Sequence, residues 1–289
     1  LKDAERLIGA YHDNARHSMS RIVLAPCSPF SVTPDLMRDA AALARSHPGV
    51  RLHSHLAEEL FEEKYCQEIY GMRPVEFAES VGWLGEDCWF AHSIFLTGEE
   101  IDRFAATGAG VAHCPSANMR CGQGIAKIRE MLDKGVKVGL GVDGSASNDT
   151  SNLFMEARLA LMLQRVAPNQ YLSEKPGGRG GFGGTPKALS AREALEMATR
   201  GGAALLGRDD IGHLAPGMSA DFIAVKRNQL GLSGTQRDPL AALILCGPFK
   251  VDYSYINGRQ IIARGEFTAF DVEAALARHA RTMDRIYAE

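Results

Sequence analysis

The chain has 289 residues, 45% of them hydrophobic and 23% charged, enough apolar material to bury a large core, which excludes a disordered or low-complexity protein. A net charge of -3 leaves no basic field for nucleic acid or an anionic membrane surface, so a small neutral substrate fits better than either partner. No run approaches the roughly 18 apolar residues that cross a bilayer, no signal-peptide pattern is present, and six scattered cysteines without a Cys-x-x-Cys pair point to a reducing cytoplasm.

Residues 1–20 read as a polar, helix-like segment that opens at Leu1 with no strand before it, so the chain is expected to be a fragment. Five short apolar runs follow, at 22–25, 50–53, 88–91, 110–112 and 136–142, each succeeded by a stretch of helical periodicity. Pro34 and Asp35 open a helix to His47, stopped by Pro48-Gly49. Thr97 with Glu100 forms a capping box for a helix over 101–106 that Gly108 ends. Near-continuous apolar strands alternating with amphipathic helices predict an α/β fold with a parallel sheet covered on both faces. A doubly wound sheet and a (β/α)8 barrel both satisfy that pattern.

The glycine-dense stretch 175–187, KPGGRGGFGGTPK, is expected to be a surface loop. A phosphate loop needs a preceding strand and a Gly-Lys-Ser/Thr ending that opens a helix, and both are missing. Ser190 with Glu193 then caps a helix through Leu206. Beyond Gly207 the character changes to strands at 220–225, 251–256 and 260–263, with Asn257-Gly258 as a hairpin turn. A last helix over 270–287 is expected to dock through Val272, Leu276, His279, Met283 and Ile286.

His53, His55, Glu58, His92, His113 and Asp143 fall at or just past the C-terminal ends of the strands, the edge at which parallel α/β folds build their sites. Imidazole and carboxylate suit zinc or a similar divalent ion. His55 and Asp143 are expected as its ligands. His53 and His55 are expected to face opposite ways, leaving His53 structural. Glu58, three residues past His55, is placed to move protons for a metal-activated water without being a ligand.

HSHLAEE (53–59), WFAHSIFL (89–96), GVAHCPSANMR (110–120) and GVDGSASND (141–149), followed in order by ADFIAVK (220–226), DPLAALILCGP (238–248) and YINGRQI (255–261), resemble the amidohydrolase superfamily, in particular its purine- and triazine-directed deaminases and chlorohydrolases. The resemblance implies a TIM-like (β/α)8 barrel over 1–207, N-terminally truncated here, and a small β-sandwich portion with a C-terminal helix over 208–289. It implies one divalent metal ion, Zn2+ foremost, with His55 and Asp143 as ligands and Glu58, His92 and Asp143 as the catalytic set. Cys27, Glu58 and His113 are the expected substrate contacts. In LAPCSPFSVTPDLM (24–37) a cysteine stands where many relatives carry a histidine, which makes the chain look most like the 8-oxoguanine deaminases. Cys27 as a small buried residue stays open beside that reading.

The implied reaction is hydrolytic deamination of a purine-like base, 8-oxoguanine giving urate and ammonia. A pterin, a triazine or cytosine is the alternative substrate, and an inactive binding remnant the alternative of another class. The first two metal ligands of the resembled family, a His-x-His after strand 1, have no counterpart in this sequence. The expected partner is a small molecule, not nucleic acid or membrane, and assembly into a homo-oligomer is left open.

Overall fold

The computed structural model describes residues 1–172 and 188–288, so the glycine-dense stretch 175–187 lies outside the described residues. The chain divides into two compact units, Leu1–Gly212 and His213–Glu289. Among the described residues no helix is long and apolar enough to cross a membrane.

In the first unit, β1 (Val23–Leu24), β2 (Arg51–Leu56), β3 (Cys88–His92), β4 (Gly110–His113) and β5 (Lys137–Leu140) form one parallel sheet in chain order. That order is what βα repetition produces, because each intervening helix returns the chain to start the next strand beside the last. β1 is shorter than its apolar run: at one end Ile22 N–H is taken by His12 Nδ1, and at the other Pro26 has no N–H for the ladder. β2 runs three residues past the expected end at His53. Leu52, Ser54 and Leu56 stay buried on one face while Arg51, His53 and His55 occupy the other, and this period-two pattern holds the pairing through Leu56 opposite His92.

The expected helix starts are present. Thr33 accepts from Leu36 N–H to cap Pro34–Arg45, and the Thr97/Glu100 box opens Gly98–Thr107, which Gly108 ends in the left-handed conformation. Ser190 and Glu193 box the start of Ala191–Glu196, which continues through a π turn, Met197–Gly201, into Gly202–Leu205. Gly201 packs so tightly on β5 that a Cβ would collide with the Val138 carbonyl oxygen, so only glycine lets the turn approach the strand. The first segment is helical only over Lys2–Tyr11. The Asp13 carboxylate accepts from Ala15 N–H, offering the backbone a turn in place of a helix, and His12 bridges Ile22 N–H and the Pro48 carbonyl.

Behind the sheet, Phe77, Trp83, Phe90, Ile101 and Phe104 are fully buried, and the Trp83 indole N–H donates to the Met37 carbonyl at 2.8 Å.

The second unit holds a four-stranded antiparallel sheet: β6 (Phe222–Ala224), β7 (Tyr253–Ile256), β8 (Arg259–Ala263) and β9 (Glu266–Phe267). Asn257 and Gly258 join β7 to β8 with φ of 47° and 75°, the pair of positive values a tight hairpin turn needs. Of the expected sandwich, this one sheet is present among the described residues. The last helix, Val272–Tyr287, is capped by Asp271. The expectation that it docks is corrected, since none of its residues is buried and Leu276 stays 64% exposed: periodic apolar spacing makes a stripe but supplies no surface to cover it.

Candidate active site

The expectation that His53 and His55 point in opposite directions is also corrected. Residues two apart on a strand share a face, and the two rings lie side by side with centroids 6.0 Å apart. What separates them is depth along the strand. His53 stacks on Trp89 at 5.2 Å and donates from Nδ1 to the Trp89 carbonyl at 3.2 Å, while burial holds its pKa below the usual histidine value. His55, one step closer to the loop, packs instead against the ring of His92, with centroids 5.0 Å apart, and keeps part of its side chain exposed.

Four residues at or just beyond the strand ends adopt the left-handed backbone that non-glycine residues avoid: Ala57 (φ 50°), His92 (φ 69°), Ser93 (φ 49°) and Asp143 (φ 64°). Each costs about 1 kcal/mol or more and persists only where neighbours enforce it. The enforcing contacts are visible. Ser93 N–H donates to the Leu56 carbonyl, and Ile94 and Phe95 N–H both donate to that of Ala57. The Asn148 amide grips the Val142 carbonyl at 2.8 Å, next to Asp143.

These turns aim side chains from β2, β3 and the segment after β5 at one point. His55, His92 and Asp143 each present a ligand atom within 4.8 Å of the others. His92 Nε2 lies 3.1 Å from His55 Nδ1, and Glu58 spans the pair, with Oε2 3.4 Å from His55 Nδ1 and Oε1 3.4 Å from His92 Nε2. The far side of His92 is held in the core, where Nδ1–H donates to Asn118 Oδ1 at 2.8 Å. Asp143 Oδ2 accepts from Ser147 Oγ at 2.7 Å, leaving its other oxygen available.

The electrostatics follow from the geometry. The hydrogen bond with Glu58 raises the pKa of His55 against the opposing effect of burial. For Glu58, burial opposes ionisation, but the bond to His55, the charge of His92 and donation from Gln123 prevail and hold it below the usual carboxylate value. Glu58 is therefore ionised at neutral pH and available as a proton acceptor.

Cys27 and His113 are not drawn into this group. Cys27 lies past β1 with its side chain exposed, not buried as a small apolar residue; its carbonyl accepts from His55 N–H at 2.9 Å and Ser54 Oγ at 3.1 Å, so its main chain braces the histidine-bearing strand. His113 is wholly buried, with no hydrogen-bond partner on either ring nitrogen among the described residues, and burial lowers its pKa to about 3. Ala112 pairs with Ala91, which pairs with His55, so alternation puts the next residue, His113, on the opposite face.

Sequence reasoning missed the residues that hold the site in shape. Gln123 Nε2 donates to Glu58 Oε1 at 2.6 Å and to Glu59 Oε1 at 3.1 Å. Glu156, fully buried, accepts from Ser116 N–H and from Asn148 Nδ2, joining the segments after β4 and β5. The only signal was an apolar helix carrying one acidic residue, which has many explanations.

The amidohydrolase family model matches residues 2–261. The chain belongs to the amidohydrolase family. Among amidohydrolases it is similar to the 8-oxoguanine deaminase of Pseudomonas aeruginosa, with 46% identity over 279 residues, 96% of this chain and 58% of that protein. It is 40% identical to the hydroxydechloroatrazine ethylaminohydrolase of a Pseudomonas species over 97% of this chain and 55% of that protein. Its fold is similar to that of an atrazine chlorohydrolase from Arthrobacter aurescens solved with zinc, with a TM-score of 0.88 and 35% identity over 97% of this chain and 58% of that one. The chain thus spans a little over half the length of these relatives.

Proposed function

We propose that this chain carries the proton-handling and part of the metal-binding machinery of an aminohydrolase that removes the amino group of a purine-like base, 8-oxoguanine foremost, giving urate and ammonia. The observation that carries the reading is the convergence of His55, His92 and Asp143 within 4.8 Å, with Glu58 between the two imidazoles. The likeness to 8-oxoguanine deaminase supports the substrate. In this reading β1–β5 are consecutive strands of a (β/α)8 barrel to which residues 1–207 contribute, and 208–289 form the sandwich portion with its helix. Six unpaired thiols support the cytoplasm as its compartment.

The donor set fits one divalent metal, Zn2+ in the first place. With Asn118 accepting from His92 Nδ1, the Nε2 lone pair of His92 faces His55 Nδ1 and a carboxylate, an electron-rich cluster that a cation would satisfy. His55 and Asp143 are the assigned ligands, and His92 borders the same point. When bound, such an ion makes water acidic enough to act as a nucleophile near neutral pH.

The chain's own residues then handle the protons. Glu58, ionised and anchored by Gln123, accepts a proton from the attacking water and returns it to the ring nitrogen beside the reacting carbon. His92, fixed by Asn118, orients the water. The remaining proton of the new hydroxyl passes to the amino group, so the C–N bond breaks with release of ammonia as the C–O bond becomes a carbonyl.

A triazine is the second reading, favoured by the fold likeness to the chlorohydrolase, because displacement at an electron-poor ring carbon asks the same of Glu58. The test is ammonia release by the purified, metal-loaded protein from 8-oxoguanine, guanine, adenosine, S-adenosylhomocysteine, isoxanthopterin, cytosine and aminotriazines. Preference for 8-oxoguanine is expected, and preference for another member removes the substrate assignment but keeps the chemistry. No product from any, together with no bound metal, would leave a binding remnant.

A further inference from the structure

The turn that presents Glu58 is short, left-handed at Ala57 and unable to hold itself. Its two successive backbone N–H groups point away from the cluster and into the protein, where a single side chain receives both. Glu62 Oε1 accepts from Ala57 N–H at 2.8 Å and Oε2 from Glu58 N–H at 3.0 Å. Glu62 is fully buried on the first turn of the helix Leu60–Tyr70. Burial pushes its carboxyl up to about 7, against the two amide hydrogen bonds, which favour the ionised form.

The same turn is gripped from its other side, because the Leu56 and Ala57 carbonyls accept the N–H groups of Ser93, Ile94 and Phe95, the residues directly after His92. Both faces of the Ala57 peptide are thereby committed. The position of Glu58 and that of His92 depend on one shared backbone element, whose inner edge rests on Glu62.

We infer that Glu62 is a positioning residue for the reaction, setting the main chain under Glu58 and so the placement of the proton-accepting carboxylate between His55 and His92. This rests on the function proposed above for Glu58. A hydrophobic anchor offers no acceptor, whereas the two oxygens of one carboxylate receive both adjacent amides at once. Glutamine at this position keeps one acceptor and turns a donor toward the second amide, leaving it buried and unpaired.

The experiment compares the metal-loaded wild type with Glu62→Gln, Glu58→Gln and the double variant, reading turnover, bound metal and amide hydrogen exchange at residues 57 and 58. For Glu62→Gln we expect retained metal, KM within about twofold, and kcat lower by about ten- to a hundredfold, the scale of a catalytic group displaced by an ångström or less. Exchange at both amides accelerates about tenfold or more as their acceptor weakens. In the Glu58→Gln background the Glu62 change should cost no further turnover, because the residue through which it acts is already gone. An undiminished kcat, a fully multiplicative loss in the double variant, or unchanged amide exchange would overturn the inference. If the wild type releases no ammonia from any substrate, the functional proposal fails and amide exchange alone decides: acceleration in Glu62→Gln supports the clamp, and no change refutes it.

Discussion

His55 Nδ1 and His92 Nε2, carried on neighbouring strands, stand 3.1 Å apart, too close for two lone pairs unless a proton or a cation lies between them. That juxtaposition leads to the first prediction. His55→Ala and Asp143→Asn should each sharply lower bound divalent metal, read by elemental analysis of dialysed protein, since losing one of a few ligands removes most of the affinity. Full occupancy in both variants would withdraw the ligand assignment. His92→Gln tells the third member's role: retained metal with lost turnover marks a proton-handling group, and lost metal marks a ligand.

Glu58→Gln keeps the shape of the side chain and removes its basicity. Metal content should stay at the wild-type level while turnover falls by about a hundred- to ten-thousandfold, the usual contribution of a general acid–base group. Steady-state kinetics on the preferred substrate would show this. Near-normal turnover would make Glu58 an ordinary loop carboxylate.

Asn148 holds the Asp143 loop through one amide, which donates to the Val142 carbonyl and to Glu156 Oε1, both at 2.8 Å. Asn148→Ala leaves these acceptors unpaired and should destabilise by about 1–3 kcal/mol. Asn148→Asp should be worse, since it sets a second carboxylate against the buried Glu156. Urea denaturation of the two variants gives the order, and an aspartate variant as stable as the alanine one would contradict it.

Asp210 is nearly enclosed, with 3% of its side chain exposed. It accepts from Arg208 Nε at 2.8 Å, Arg208 Nη2 at 2.7 Å and His17 N–H at 2.6 Å. The bond with Arg208 is the main cause that holds its carboxyl far below the ordinary 3.8. A pKa lowered by folding contributes stability that is complete above the unfolded value and is lost as pH falls through the folded one. The wild type should therefore lose stability from about pH 4 downward more steeply than Asp210→Asn. At neutral pH Asp210→Ala should cost about 3 kcal/mol, because it removes the carboxylate partner of a largely buried guanidinium. Denaturation curves at several pH values check both, and parallel pH dependences for wild type and Asp210→Asn would contradict the first.

Much of the fold was legible in local chemistry. Capping boxes at Thr97/Glu100 and Ser190/Glu193, the Asn257-Gly258 turn and the alternation of apolar runs with helices are properties of a few adjacent residues, and all are present. Element ends were less legible. The N-terminal helix stops at Tyr11 because Asp13 and His12 find other partners, and the helix Val272–Tyr287 has an apolar stripe of which no residue is buried.

For the site, sequence alone determined which residues were chemically suited to it and that they stood at the ends of parallel strands. His55, Glu58, His92 and Asp143 could be named because strand ends in such a sheet share an edge. Tertiary structure decided which of them meet. It drew His92 to within reach of His55 through a left-handed turn, turned His113 into the interior and supplied Asn118, Gln123 and Glu62 from distant or unremarkable positions. The physical reason is that a ligand or an acid–base group is identified by its side chain, whereas its aim is set by backbone strain and by hydrogen bonds to residues dozens of positions away, and no local pattern records those.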